Sequence, residues 1–293
     1  MPGTHRPYET KDVTLAAGHR LRYYEWPGEG PTVILLHGSS GYGLMFEWTA
    51  NFLGNRFHVY APDQRGHGDS DKPDGTYSAQ EYAEDLHHFV QALGLGKAVV
   101  GGHSLGGRVS QVFAATHPEE TLGVILIGGL HLSNFFQTTT NVTRILEAAN
   151  NMLVSPTEFA SRDAAMEYIR NSRRNDTEES NLHRLEHNMD RVGDGYRFKY
   201  DKVRVAQSLT YQNDNLRPFA PHVKAPVFMA RSTRGSELAS LQEAQDIARL
   251  WQDATVVDVD GDYLLHITGP EEFANAIAGF IDTRVAPAGI AAS

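Results

Sequence analysis

This chain of 293 residues predicts a doubly wound α/β fold, a mostly parallel sheet interrupted by one inserted helical segment. Three observations carry that reading. Short apolar runs alternate with amphipathic helical stretches at both ends of the chain; a polar stretch rich in Asn, Arg and Glu separates them; and a Gly-x-Ser-x-Gly turn joins one apolar run directly to a helix. At this length a single core with a large insertion is expected rather than two independent units. The core is assigned to residues 1–130 and 216–293, and the insertion to 131–215.

In chain order, Val13 to Leu15 and Leu21 to Tyr24 read as two short strands joined by a tight turn. Pro31 to Leu36 is an apolar run suited to a buried strand that ends at His37-Gly38, and Phe57 to Ala61 is the next strand. Ser78 to Leu93 has helical spacing, with Ser78 as cap and Glu81 at the capping-box position. The run Lys97 to Gly101 leads into Gly102-His103-Ser104-Leu105-Gly106, and a helix follows to His117. Thr121 to Ile127 is another buried strand. From Leu130 to Arg217 the pattern turns polar and helical, with breaks at Pro156 and Gly193-Asp194-Gly195. Phe135, Phe136, Ile145, Leu146, Met152, Phe159, Met166 and Tyr168 recur there at helical spacings, which predicts an internal core of the insertion. Strand signals return at Pro226 to Ala230 and Ala254 to Val259, flanking a helix from about Ala239 to Trp251, and a last helix spans Pro270 to Ile281. Eight core strands result. An Ala-rich tail over 284–293, with Pro287 and Gly289, is expected to be disordered.

Composition narrows the chemistry. There is no cysteine, so disulfides, thiolate zinc sites and a thiol nucleophile are excluded. A net charge of -10 argues against nucleic acid or an anionic membrane as partner, since both are bound through basic patches. A small neutral or weakly polar molecule fits better, and a homodimer is compatible with the sequence. The first residues lack an apolar stretch of signal-peptide length, and no window reaches the ~18 apolar residues of a membrane span, so a cytoplasmic protein is expected. His58, His67, His87 and His88 share no metal-ligand spacing, and no metal or cofactor is expected.

The Gly102 to Gly106 segment is a nucleophile elbow. Its glycines let the chain turn sharply from strand to helix and hold Ser104 on a strained turn with its hydroxyl exposed. The helix from Leu105 then aims its first amides at the place where charge forms on an attacked carbonyl.

The elbow, the His37-Gly38-Ser39-Ser40-Gly41 strand end and the Pro62-Asp63-Gln64-Arg65-Gly66-His67-Gly68-Asp69-Ser70 loop occur in an order that resembles the α/β-hydrolase superfamily over residues 10 to 283. The resemblance implies an eight-stranded α/β-hydrolase fold with a helical cap formed by the insertion. It also implies that the amides of Ser39 and Leu105 form an oxyanion hole. Asp63 to Ser70 then reads as a structural loop with Asp63 and Arg65 solvated or paired. Members with aspartate at the elbow carry out alkyl-enzyme chemistry, whereas Ser104 points to acyl transfer.

The family's catalytic histidine lies in the loop after the last strand. Aligning on Pro270-Glu271 puts Tyr263 in its place and His266 three residues on. A phenol with a pKa near 10 is a poor base at neutral pH. Three readings stay open: His266 reaches Ser104 from a reshaped loop; His266 is a packed residue and Tyr263 a donor or cavity wall; or the protein binds without catalysing. The orienting acid is assigned to Glu237, which replaces the family's aspartate in Arg234-Gly235-Ser236-Glu237, while Asp260 and Asp262 read as turn residues. Tyr263, His37, Phe135 and Phe136 are the candidate substrate contacts. The resulting expectation is a serine hydrolase acting on a carboxylic ester, lactone or activated carbon–carbon bond through an acyl-enzyme. The alternative is a non-hydrolytic or ligand-binding homologue with an incomplete triad.

Overall fold

The computed structural model describes residues 6–128, 139–172, 176–211, 215–234 and 240–285. Eight strands form one sheet: β1 (Glu9–Thr14), β2 (Arg20–Trp26), β3 (Thr32–Leu36), β4 (His58–Pro62), β5 (Ala98–His103), β6 (Thr121–Ile127), β10 (Val227–Ser232) and β11 (Ala254–Val259). Their spatial order is β1-β2-β4-β3-β5-β6-β10-β11. Only the first two pairings, β1 with β2 and β2 with β4, are antiparallel. The rest are parallel, so each needs a crossover, and the crossovers place helices on both faces.

Both faces are apolar because successive side chains of a strand point opposite ways. Ile34 and Leu36 of β3, Val100 of β5 and Met229 of β10 pack on one side. They meet α2 (Ala79–Leu93) through Leu86, Phe89 and Val90, and α3 (Leu105–Thr116) through Val109, Val112 and Phe113. Val33 and Leu35, Val99, Ile125 and Phe228 pack on the other. There they meet α1 (Glu47–Leu53) through Ala50 and Leu53, and α10 (Pro270–Phe280) through Phe273 and Ile277. The unbroken apolar runs of the central strands are the sequence image of this double burial.

Ser78 Oγ accepts the Glu81 N–H at the start of α2, but the Glu81 carboxylate is engaged by Arg65 rather than closing a capping box. The complete box stands at α8 (Leu241–Ala248), where Ser240 and Glu243 bond reciprocally. That helix starts two residues later than expected because Ser240 is its cap.

Among the described residues, the segment between β6 and β10 contributes no strand to the large sheet. It contains α4 (Thr139–Val154), α5 (Arg162–Ser172), α6 (Glu178–Asn188) and α7 (Lys202–Thr210), and also three strands that the helical expectation did not include. These are β7 (Glu158–Phe159), β8 (Met189–Val192) and β9 (Gly195–Phe198), antiparallel in the order β7-β9-β8. The Gly193-Asp194 break is the β8–β9 hairpin turn, with Gly193 at φ 61°. Met166, Ala165, Ile169, Leu185, Met189 and Phe198 form its small core, against which Phe159 and Tyr168 pack. Leu146, expected in that core, is 53% exposed.

At the other end, Arg284 and Val285 are not part of a loose tail. They belong to a π-helical turn over Ile281–Val285; Arg284 pairs with Asp253, and Val285 is buried. Residues 286–293 lie outside the described residues.

Candidate active site

β3 and β5 are neighbours in register, with Leu36 opposite Gly102, so the chain segments leaving their C-terminal ends emerge side by side. In a parallel α/β sheet this edge is where ligands bind. The first segment is His37 to Tyr42 and the second is the elbow.

Ser104 has φ 50° and ψ -106° and is one of two described non-glycine residues with positive φ; Ser40 is the other, at 57°. Such a conformation costs of order 1–3 kcal/mol and persists only where the surroundings enforce it. Here the Ser104 N–H donates to the Ile127 carbonyl (2.9 Å) and its own carbonyl accepts from Arg108 N–H (3.2 Å), pinning the turn between β6 and α3. Both of these bonds run through the backbone, and Ser104 Oγ makes no capping bond to α3. The flanking glycines are required by space. A Cβ on Gly102 would sit 2.3 Å from the Leu36 carbonyl oxygen, and one on Gly106 2.1 Å from the same atom. The helix can therefore start directly against the end of β3. Leu105 is its first residue, and its amide belongs to the set that a helix leaves without internal acceptors.

The loop carrying Ser39 is braced from beneath by two histidines. His37 is wholly buried; its Nε2 accepts the Gln64 N–H (3.0 Å), and its Nδ1–H donates to the Gly38 carbonyl (2.8 Å). Burial, reinforced by His67, pushes its pKa well below the ordinary histidine value. His37 was a candidate substrate contact; with both nitrogens committed to main chain and no exposed surface, it shapes the loop instead. His67 is likewise buried, with its pKa lowered to about 4 chiefly by desolvation. Its Nδ1–H donates to the Arg65 carbonyl, and its Nε2 accepts the N–H of Ser40, the other left-handed residue.

The Asp63 to Ser70 loop is structural, though not in the way expected of its acid. Asp63 is fully buried and neither solvated nor ion-paired: it accepts the Gly43 N–H (2.6 Å) and Asp69 N–H (2.9 Å), and burial raises its pKa to about 6. Arg65 is paired, holding buried Asp85 with two nitrogens and Glu81 with a third.

The loop after β11 places Tyr263 and His266 differently. Tyr263 is half-buried; its ring meets the His103 ring edge-on at 4.5 Å, and its Cε2 lies 3.0 Å from where a Cβ on Gly128 would stand. His103 adjoins Ser104, and Gly128 follows the residue whose carbonyl holds the Ser104 amide, so Tyr263 lies beside the elbow. His266 sits in the short helix α9 (Leu265–Thr268) and is wholly buried, its ring against Phe46 (4.8 Å) and His103 (5.2 Å). Asp262 accepts the Leu264 N–H, and Asp260 bonds Thr233 and Arg234, as turn residues do. Glu237, Phe135 and Phe136 lie outside the described residues.

Over this edge the inserted segment brings residues that the sequence reading did not single out. Asn188, wholly buried at the end of α6, donates from Nδ2 to the Ser40 carbonyl (3.0 Å). One turn earlier, His183 joins Tyr42 Oη through Nδ1 (2.8 Å) and Glu47 Oε2 through Nε2 (3.0 Å), with His187 alongside. The i,i+4 spacing of His183 and His187 was available in the sequence; Glu47, more than 130 residues away, carried no such signal.

A family description, alpha/beta hydrolase fold, matches residues 31–270. The 2-(acetamidomethylene)succinate hydrolase of Mesorhizobium japonicum is 32% identical over 256 residues, 87% of this chain and 89% of that protein. A serine hydrolase-like protein of Danio rerio is 28% identical, covering 90% of this chain and 86% of its own. Among solved structures, E-2-(acetamidomethylene)succinate hydrolase superposes with a TM-score of 0.82 at 31% identity, over 94% of this chain and all of that one. No described helix is long and apolar enough to cross a membrane.

Proposed function

The chain belongs to the α/β-hydrolase superfamily, a family of hydrolases among its relatives, and from that premise we propose that it is a serine hydrolase cleaving an acyl bond of a small molecule through an acyl-enzyme. The observation that carries this is the strained left-handed Ser104 at the first turn of α3, a conformation with a cost. Ser104 Oγ attacks the substrate carbonyl carbon, and its proton passes to a base. The oxyanion is held by the Leu105 and Ser39 amides, each donor supplying on the order of 3 kcal/mol. The leaving group departs with that proton, and water then releases the acid. His266 is proposed as base and Glu237 as the acid that orients it. The segment over 131–215 acts as a cap that closes the site, and its Asn188 bond to the Ser40 carbonyl supports this role. The relative acting on 2-(acetamidomethylene)succinate, a small acetamide-bearing dicarboxylate, supports a compact substrate with an acyl bond.

A second reading is favoured by one specific observation. Tyr263, at the family's histidine position, lies beside the elbow, whereas His266 is enclosed between Phe46 and His103. In that case Tyr263 donates a hydrogen bond to the bound molecule and hydrolysis is slow or absent. Turnover of short p-nitrophenyl esters separates the two. A serine hydrolase with His266 as base loses at least 1,000-fold in rate, roughly three decades, in both Ser104→Ala and His266→Ala. An unaffected His266→Ala together with a large gain in Tyr263→His establishes the second reading, because the variant restores an imidazole where the family has one. Undiminished turnover in Ser104→Ala overturns the serine mechanism itself.

A further inference from the structure

We infer that Glu47, His183 and His187 form a binding site for one divalent transition-metal ion of the zinc class, at the seam between α1 and α6. Their ligand atoms all lie within 4.8 Å of one another. His183 and His187 are four residues apart on α6, so both rings project from one helix face, and their centroids are 4.4 Å apart with a 52° tilt. That is the spacing by which a single helix offers two imidazoles to one zinc ion. Glu47, the first residue of α1, faces them and is only 6% exposed.

Distances already favour a shared ion. His183 Nε2 and Glu47 Oε2 are 3.0 Å apart. Two ligands of a tetrahedral zinc ion, each bonded at about 2.0–2.1 Å, stand about 3.3 Å apart, so a small widening admits the ion. The other nitrogen of His183 is 2.8 Å from Tyr42 Oη, the outer partner that a metal-bound imidazole needs to fix its orientation. Tyr42 is buried, and its hydroxyl can both donate and accept, so it serves either tautomer. Without an ion, His183 carries its proton on Nε2, donates to Glu47, and accepts from Tyr42 at Nδ1. With an ion, the proton sits on Nδ1 and is donated to Tyr42 Oη, while the Nε2 lone pair goes to the metal; the ring's proton count is unchanged. The Trp48 ring, 4.4 Å from His183, walls one side.

Two imidazoles and one carboxylate suit zinc rather than calcium or magnesium, which take oxygen donors, and leave a fourth position for water. A second cluster, His87, His117 and Glu120, is a weaker candidate, since its two rings stack at 4.0 Å and 8° and their in-plane lone pairs run parallel instead of converging. It serves as the control. An ion at Glu47, His183 and His187 would tie α6 to α1, and α6 also carries Asn188 against the Ser40 carbonyl, so it would steady the seam over the Ser39–Ser40 loop.

The full chain, stripped with EDTA, is titrated with ZnCl2 by calorimetry and melted with and without the metal. One ion per chain at micromolar affinity or tighter is expected, with Tm raised by roughly 5 °C in excess zinc. His187→Ala, which leaves the Tyr42–His183–Glu47 chain intact, should weaken binding at least tenfold and abolish the Tm shift. Glu47→Gln should do the same, and His117→Ala should change neither. Absence of binding, undiminished binding in His187→Ala, or loss of binding in His117→Ala instead would each overturn the assignment. Cobalt(II) provides a readout independent of stability: an intense visible band in the wild type that disappears in His187→Ala.

Discussion

Ser104 is held where a side chain is costly, and the cost is visible in its own backbone. At φ 50° and ψ -106° the residue is strained by of order 1–3 kcal/mol, which is offset by the Ile127 and Arg108 backbone bonds on either side. A glycine adopts that conformation without the Cβ penalty. Ser104→Gly should therefore raise the unfolding free energy by about 1 kcal/mol while abolishing the proposed serine-dependent hydrolysis, and Ser104→Ala should abolish it with stability unchanged. Urea denaturation of the three proteins checks this; a destabilised Ser104→Gly would mean that the strain is not stored at this residue. The serine and its neighbouring glycines were legible in sequence because the elbow is a local pattern of five residues. The fate of His37 was not: a histidine beside a glycine at a strand end reads alike whether it faces a ligand or, as here, turns both nitrogens to the main chain.

At the scale of elements, the elbow works because α3 begins in contact with β3. Gly102 and Gly106 both face the Leu36 carbonyl oxygen, and that atom is backbone, unable to swing aside. Gly106→Ala should cost at least about 3 kcal/mol or displace the elbow, because overpacking against main chain forces the helix away from the sheet. Thermal melting together with ester turnover measures both, and a native-like Tm with full activity would show that α3 can shift without consequence. Strand β6 begins and ends where its apolar run does, since a buried parallel strand writes a continuous hydrophobic stretch. The inserted segment was harder. Its strands are two to four residues long, too short to show a period of two, and they exist only because they pair with one another. Likewise Ser78 and Ser240 present the same cap-plus-acid pattern. Only at Ser240 does the acid close the box, because Arg65 claims Glu81.

For the molecule as a whole, the groups beneath the site make stability depend on pH. His67, with its pKa lowered to about 4, binds its proton far less readily folded than unfolded, where histidine titrates near 6.5. Its contribution is complete above pH 6.5 and is lost as pH falls toward 4, by about 3 kcal/mol. His37 and His187 act in the same direction. Asp63, raised to about 6, opposes them, since the folded chain takes up its proton first and gains stability as pH falls from 6 toward 4. Three histidines against one carboxylate leave a net loss, so stability should fall between pH 6.5 and 4. His67→Gln should flatten that fall and Asp63→Asn should steepen it, as read from urea midpoints across the window. A stability that rises on acidification would contradict the balance.

By itself the sequence determined the fold class, the eight core strands, the elbow at Ser104 and its glycine neighbours, because each is written in local spacing: apolar runs, a capped helix, a tight turn. Tertiary structure alone decided that Tyr263 lies beside the elbow while His266 is enclosed, that His37 and His67 brace the Ser39–Ser40 loop, and that α6 brings Asn188, His183 and His187 against it. These arrangements join residues 27 or more positions apart, and their direction is set by packing and by which backbone groups need partners, quantities that no short stretch of sequence contains.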